Sequence, residues 1–294
     1  MSTGLADCIG GGAMTLSTEY KAALQASLVT LKHNEKFSSV KLWGKVSGVF
    51  KDYYIAQGLG ADPVSDRKSF YSTDHCVTWM QMPDVHPVTQ ASAKRITTRF
   101  TGTATHEYTV TEPGPSPTDP QPDLPAEVAK TRSTEQSSDD STIVTTTITE
   151  DVRLATIVAA IDRDCACVPY GAFLQNAAGE ITSKRSFEGL SHADAGKLQS
   201  YLHFRVPEKK RTALERAQQD KTLDFFDPLV EDIPEGSWAL QYERGGAVVV
   251  LKSQIWPGFT FFHCPGTTQF GYAYSGLAQK NMDLAFMLPT GATE

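Results

Sequence analysis

The sequence predicts an α+β protein in which antiparallel sheets and several helices form two lobes around a long disordered insert in a β-hairpin. Three observations lead to this prediction. Short segments rich in Thr, Val, Ile and aromatic residues alternate in polarity, as strands do. A few longer windows carry apolar residues at helical spacing, and one proline-rich stretch at residues 112–141 separates the two halves. No period of about 20–50 residues repeats, which argues against solenoids and propellers.

The N-terminal half combines one helix with several strands. Ser17 or Thr18 can cap a helix that runs to about Lys32 with three leucines on one face. Further antiparallel strands are predicted at residues 40–50, 52–58 and 69–80. Gly44 and Gly48 indicate a twist or a bulge in the first of them, because glycine weakens a regular strand.

The stretch at residues 112–141 is predicted to be a disordered surface insert. It holds six prolines, a tract of Ser, Thr, Gln and Asp, and no large aromatic residue, so its apolar side chains cannot offset the entropy of ordering it. Its flanks, residues 106–111 and Thr142–Thr149, have the composition of strands. We therefore expect a β-hairpin whose turn has been replaced by the insert. Because the cost of closing a loop grows only logarithmically with its length, the insert is not expected to be a hinge between independent domains.

Three helices are predicted after the insert. The first covers residues 150–163, which carry apolar residues at helical spacing. Ser191 and Asp194 have the pattern of a capping box, and the helix that they open is expected to reach about Phe204. The third is a strongly charged helix at residues 207–221.

A sheet and five segments complete the predicted organisation. The strands of this sheet are predicted at residues 238–242, 247–251, Phe259–His263 and 270–275. Gly245 and Gly246 lie between the first two and indicate a hairpin turn. The segments are a flexible N-terminus (residues 1–16), an N-terminal α+β lobe (17–111), the insert (112–141), a C-terminal α+β lobe (142–288) and a tail (289–294).

Composition and charge exclude several classes of function. The net charge of −7 and a pI near 5.5 argue against a nucleic-acid partner, which needs a basic surface. The unbroken apolar runs are too short to span a bilayer, so no membrane partner is expected. The five cysteines match neither a disulfide framework nor a zinc pattern in their number and spacing, which indicates a reducing compartment.

Motifs for catalysis, cofactors and metals are incomplete. The Gly-Lys pair at residues 196–197 lacks the upstream glycine and the following hydroxyl of a phosphate-binding loop. The cysteines at residues 165–167 are too close together for a zinc knuckle. Asp162 and Asp164 begin like a calcium loop, but its turn glycine and bidentate glutamate are missing. We therefore predict no catalytic, cofactor-binding or metal-binding residue.

Charged and aromatic residues are better candidates for a partner contact. Residues 205–221 hold six bases against three acids, and an acidic stretch follows directly. Such blocks are either solvated faces or a surface that steers a protein partner. The many aromatic residues are mainly expected in the core, and those left at the surface would be natural interface anchors.

Three separated strings carry a resemblance to a known family. They are Asp-Tyr-Tyr-Ile-Ala-Gln-Gly at residues 52–58, Asp-Ile-Pro-Glu-Gly-Ser-Trp at residues 232–238 and Lys-Asn-Met-Asp-Leu-Ala-Phe-Met-Leu at residues 280–288. In this order they resemble the radial spoke head protein 9 family of motile cilia, which is similar to the head 4 and 6 scaffold subunits. The resemblance covers about residues 28–100 and 152–288 and omits the insert.

The resemblance implies a non-enzymatic subunit of the radial spoke head in the ciliary or flagellar axoneme, part of the cytoskeleton. Such a subunit would pack with head 4/6-type subunits and other spoke proteins in a hetero-oligomer. It would help to relay signals between the central apparatus and the dynein arms. The residues expected at the contact with a partner are Phe187, Tyr201, Phe204, Trp256, Asp283 and Phe286. An unrecognised enzyme or a peptide-binding adaptor is the alternative.

Overall fold

The structure is a computed structural model that describes residues 16–113, 132–136, 142–208, 220 and 222–287. The α-helices in these ranges are α1 (Thr18–Asn34), α2 (Pro87–Ala93), α3 (Glu150–Cys165), α4 (His192–Ala195) and α5 (Leu284–Met287). The predicted helices at the positions of α1 and α3 are confirmed. Ser17 caps α1, since its hydroxyl accepts a hydrogen bond from the Tyr20 N–H at 3.2 Å.

The same described ranges contain fifteen strands. They are β1 (Ser39–Val46), β2 (Tyr53–Leu59), β3 (Arg67–Ser72), β4 (Met80–Gln81), β5 (Glu107–Pro113), β6 (Arg132–Gln136), β7 (Thr142–Thr149), β8 (Cys167–Pro169), β9 (Phe173–Gln175), β10 (Ile181–Ser183), β11 (Tyr201–His203), β12 (Trp238–Glu243), β13 (Val248–Ser253), β14 (Phe259–His263) and β15 (Phe270–Gly276). The predicted hairpin at Gly245 and Gly246 is confirmed by the antiparallel pairing of β12 with β13.

One eight-stranded sheet contains strands from both sides of the insert. Its order is β12-β13-β14-β15-β1-β2-β3-β4. All neighbours in it are antiparallel except β1 and β15, which run parallel with Gly44 opposite Tyr274. The large sheet is therefore mixed, with one parallel pair among otherwise antiparallel neighbours, and the predicted α+β class is confirmed. The division into two lobes stays a prediction, although the shared sheet agrees with an insert that is not a hinge.

Helix α3 fills the core against this sheet. The residues of its apolar face that are buried in the main cluster are Leu154, Ile157, Val158 and Ile161. From the sheet, Trp43, Tyr53 and Tyr274 join the same cluster, each with at most 1% of its surface exposed. Large aromatic side chains therefore occupy the interior, as the sequence predicted for most of them.

Three small antiparallel sheets flank the large one. β5 and β7 pair directly along Glu107 to Pro113, which confirms the predicted hairpin. The described parts of the insert are strands: Glu112 and Pro113 end β5, and β6 pairs with the other edge of β7, so the prediction of disorder is wrong for these residues. The prediction of disorder for residues 114–131 and 137–141 lies outside the described residues. The other two sheets are β9 with β10 and β8 with β11.

The predicted helix from Ser191 to Phe204 is wrong beyond its first turn. The Ser191 hydroxyl accepts from the Asp194 N–H at 3.1 Å, so the cap is present, but α4 ends at Ala195, with Gly196 as its C-cap. Residues Tyr201–His203 form β11 instead, and all three side chains are buried. Burial on both faces favours a strand over a helix with one polar face.

Two predicted strands are shorter than expected. The first ends at Val46 rather than at residue 50, and its register shifts between Leu42 and Gly44, which confirms the bulge. The strand predicted at residues 69–80 is interrupted by a turn around Asp74. The Asp74 carboxylate accepts from the Ser72 hydroxyl at 2.6 Å and from two backbone N–H groups after it. The predicted helix at residues 207–221 falls mainly on residues 209–219, outside the described residues.

Candidate protein-contact site

Asp162 and Asp164, at the end of α3, hold neighbouring elements together. Asp162 accepts from Trp43 Nε1 at 2.6 Å and also contacts Gln57 and Arg67. Burial raises the pKa of Asp162, although the charge of Arg67 and the hydrogen bonds oppose this shift. Asp164 accepts from Trp256 Nε1 at 2.9 Å. The pair that begins like a calcium loop in sequence thus anchors two indole rings.

Cys76, Cys165 and His263, whose side chains are of types that serve as nucleophiles or metal ligands, are buried. Burial raises the pKa of Cys76 to about 12 and also raises the pKa of Cys165, so neither thiol ionises near neutral pH. His263 is buried, and its Nε2 accepts from the Leu190 N–H at 3.1 Å. Across the described ranges, no three His, Cys, Asp or Glu side chains lie close enough together to hold a metal ion. No helix in those ranges has the length and apolarity to cross a bilayer.

Three of the predicted contact residues lie inside the protein. Tyr201 is fully buried and donates its hydroxyl to the Ala195 carbonyl at 2.8 Å. Phe204 and Trp256 are each 5% exposed and pack in the two main apolar clusters. In this conformation they support the surface from below and do not offer a face to a partner.

The other three predicted contact residues are more accessible. Phe187 is half-buried beside the Phe270 ring, at a centroid distance of 6.2 Å. Asp283 and Phe286 are exposed and lie in the segment of residues 281–287, which we call the C-terminal turn. They are the predicted contact residues that a partner could reach most directly.

Backbone and side-chain contacts fix the C-terminal turn to the sheet. The Asn281 N–H donates to the Ile255 carbonyl at 2.8 Å, and Leu284 is buried. Just before the turn, Lys280 Nζ lies 2.8 Å from Asp164 Oδ2 and 5.8 Å from the centre of the Trp256 ring. The turn therefore has a fixed base, and Trp256 contributes to it indirectly.

The exposed side of the C-terminal turn is apolar. Phe286 is 89% exposed, Met282 76% and Met287 67%. Because α5 is helical, Leu284 points inward while Phe286 and Met287 point outward, so the side chains do not alternate as in a strand. Exposed aromatic and methionine side chains on a fixed base are typical of protein contacts. Other large exposed apolar residues, such as Phe50 and Ile233, lie on separate loops.

Two features of the structure were not found by sequence reasoning. Glu150 is fully buried and accepts hydrogen bonds from Tyr53, Thr101 and Tyr108, among others. Nothing in its local sequence marks this carboxylate as buried. The acidic stretch that seemed to be a surface also turns partly inward: Asp227 is 2% exposed.

The fold and the surface define an α+β protein with a packed aromatic interior and a fixed apolar turn suited to a protein partner. No family model matches the chain. It is 44% identical over 290 residues to the radial spoke head protein 9 homolog of Danio rerio, covering 96% of both chains. It is 40% identical over 280 residues to the homologs of Bos taurus and Homo sapiens, covering 95% of each chain. The chain therefore belongs to the radial spoke head protein 9 family, as the resemblance predicted.

Proposed function

We propose that this protein is a non-enzymatic structural subunit of the radial spoke head in motile cilia and flagella. The observation that carries the proposal is the family relationship, which extends over about 95% of the chain to proteins named radial spoke head protein 9 homologs. The contacts of the cysteines and of His263 described above agree with a structural role.

Within the spoke head, the protein packs with head 4/6-type subunits and other spoke proteins in a hetero-oligomer. It is part of the axonemal cytoskeleton and helps to relay signals between the central apparatus, which it contacts indirectly, and the dynein arms. A fixed core of large aromatic side chains suits this task, because a packed interior transmits strain with little deformation.

The C-terminal turn is the contact that we propose for one of these partners. Phe286 would be the central anchor, with Met282 and Met287 beside it and Asp283 at the rim. Burying a large exposed aromatic ring at the centre of an interface contributes more binding energy than most other contacts. Phe187 lies elsewhere on the surface and remains a separate candidate.

Affinity capture from detergent-extracted axonemes tests this proposal. The tagged protein should retain spoke-head subunits, and Phe286→Ala should reduce their yield while leaving the melting temperature unchanged. Phe50→Ala is the matched control, because Phe50 is also a largely exposed ring, at 80%, but lies on another loop. The proposal would be contradicted if the tagged protein captured metabolic enzymes instead of spoke proteins. It would also be contradicted if Phe286→Ala and Phe50→Ala reduced the yield of spoke-head subunits equally.

A further inference from the structure

A groove of about 390 Å³ lies between β3, β4 and α3. The chain at residues 204–206 forms another of its walls. Apolar side chains in its lining include Met82, Phe204 and Val206, and the last of these is 66% exposed. The groove shares no lining residue with the C-terminal turn, so it is a second surface.

The groove is basic although the chain as a whole is acidic. The charged residues of its lining are four bases and two acids, namely Arg67, Lys68, Arg163, Arg205, Asp84 and Asp162. Asp162 is engaged by Trp43, Gln57 and Arg67, so Arg67 and Asp162 form a pair. The charges of the lining that remain for a ligand are those of Lys68, Arg163 and Arg205 against Asp84. The net charge of the whole chain is −7, so this groove is a local exception that favours a negatively charged ligand.

The carboxylate of Glu208 already binds two arginines of the groove's lining. Arg163 Nε and Arg205 Nη1 each lie 2.6 Å from the same oxygen, Oε1 of Glu208. The hydrogen bond from Arg163 holds the pKa of Glu208 below its ordinary value. The Arg163 side chain is 59% exposed and that of Glu208 43% exposed. Because an exposed ion pair such as Arg163–Glu208 is worth only about 0–1 kcal/mol, a carboxylate from another chain can compete with Glu208 for Arg163. The Arg205 side chain is less accessible, at 20% exposed.

We propose that this groove binds an acidic segment of a partner protein, with carboxylates between Arg163 and Arg205 and an apolar side chain against Phe204 and Val206. Paired guanidinium groups recognise carboxylates strongly, and the apolar part of the lining suits a peptide side chain. A nucleic acid is disfavoured, because the acidic chain around the groove repels a long phosphate backbone. The inference goes beyond the spoke-head role, since it concerns a separate surface and holds in any assembly.

Fluorescence anisotropy with the full chain tests the proposal. The probe is a short labelled peptide of glutamates interrupted by leucines, and the matched neutral probe has glutamine in place of each glutamate. Arg163→Glu should weaken binding of the acidic probe by about tenfold, since it replaces attraction by repulsion. Glu208→Gln should instead tighten binding severalfold, because it removes the competing carboxylate. Raising the salt concentration should weaken binding.

Lys51→Glu is the control for net charge. Lys51 is exposed and precedes β2 at Tyr53, whereas the groove lies beside the opposite end of the β2–β3 pair. The Lys51→Glu variant should bind the acidic probe with the affinity of the wild type. Melting curves test whether each variant is folded. If Arg163→Glu does not fold, Arg205→Gln replaces it. The proposal is overturned if the acidic probe does not bind or if the neutral probe binds equally well. It is also overturned if Lys51→Glu weakens binding as much as Arg163→Glu does, or if an oligonucleotide of equal charge binds more tightly than the acidic probe.

Discussion

At the level of single residues, the buried carboxylate of Glu150 accepts an unusually large number of hydrogen bonds. The Glu150 side chain accepts from Tyr53 at 2.7 Å, from the Gly102 N–H at 2.8 Å and from the Thr101 N–H at 2.9 Å. Burial alone would raise the pKa of Glu150, but the hydrogen bonds from Tyr108 and its other donors outweigh this and hold the pKa below the ordinary value. Glu150 therefore joins β2, β5 and the loop at residues 101–103 to the start of α3.

Glu150→Gln should lower the free energy of unfolding by about 3 kcal/mol, because an amide cannot accept at both former carboxylate oxygens. Urea denaturation at neutral pH measures this change. Glu107→Gln is the matched control, since Glu107 is exposed, and it should change stability by less than about 0.5 kcal/mol. Equal stability of Glu150→Gln and the wild type would show that the buried carboxylate is not needed.

Glu150 should also make the stability of the protein depend on pH. Because the pKa of Glu150 is lowered in the folded state, its stabilising contribution is complete above the unfolded pKa of about 4.3. It is lost as the pH falls through the lower, folded value. The stability difference between the wild type and Glu150→Gln should therefore shrink below about pH 4. A difference that stays constant down to the folded pKa would contradict the assigned hydrogen bonds.

Trp256 and Phe286 should separate folding from binding. Trp256→Ala should cost about 3–5 kcal/mol of stability, because it removes a buried indole and its hydrogen bond to Asp164. Phe286→Ala should change stability by less than about 0.5 kcal/mol, since the ring is exposed. Thermal unfolding of both variants measures the contrast. A large loss of stability in Phe286→Ala would mean that this ring packs in the isolated protein.

At the level of elements, the parallel pairing of β1 with β15 is the junction between the two halves of the chain. Gly44 has a φ of 153°, and a Cβ atom there would lie 2.1 Å from the Tyr274 carbonyl oxygen. The backbones can approach this closely only without a side chain.

Gly44→Ala should therefore destabilise the protein by about 3 kcal/mol, from steric overlap and backbone strain together. Gly179→Ala is the control: its φ is also positive, at 87°, but no atom lies within 4 Å of the added Cβ. It should cost only about 1 kcal/mol. Chemical denaturation measures the free energy of unfolding of the two variants. An equal loss of stability in both would show that the close approach of Gly44 to Tyr274 does not limit the size of the side chain.

Local patterns predicted most elements, and contacts between distant parts of the chain could not be predicted. The cap at Ser17, helix α3 and the hairpin at Gly245 and Gly246 were visible because their signals lie within a few residues. The donors to Glu150 come from as far as 97 residues away, and no local pattern marks them. β11 was missed because its strand conformation depends on pairing with β8 and on burial in the core, which end the capped helix after one turn.

The exposure of the proposed contact residues could be predicted only in part, because it depends on contacts between distant parts of the chain. The segment that contains Asp283 and Phe286 was identified by resemblance, and the structure shows both side chains exposed. Tyr201, Phe204 and Trp256 were grouped with them, because sequence alone cannot tell an aromatic residue of the core from one at an interface. Arg163 and Glu208 were missed as a pair, since they lie 45 residues apart.

For the whole molecule, the mixed sheet and α3 share one core of large aromatic side chains. The two surfaces that we propose for partners, the C-terminal turn and the groove, share no residue with each other. A protein with such a core can hold subunits at fixed positions, which is the property that a spoke head needs. Loss of the protein should remove the head while leaving the microtubules in place, since the role that we propose lies in the spoke head.

Electron cryo-tomography of axonemes that lack this protein tests the central proposal most directly. Cilia should still form but beat abnormally, and averaged images should show spoke heads that are missing or thinned above intact stalks and doublets. Re-expression of the wild-type protein should restore the head, whereas Phe286→Ala should restore it incompletely. Intact spoke heads in the absence of this protein, together with the loss of a metabolic activity, would contradict the structural role and favour an enzyme.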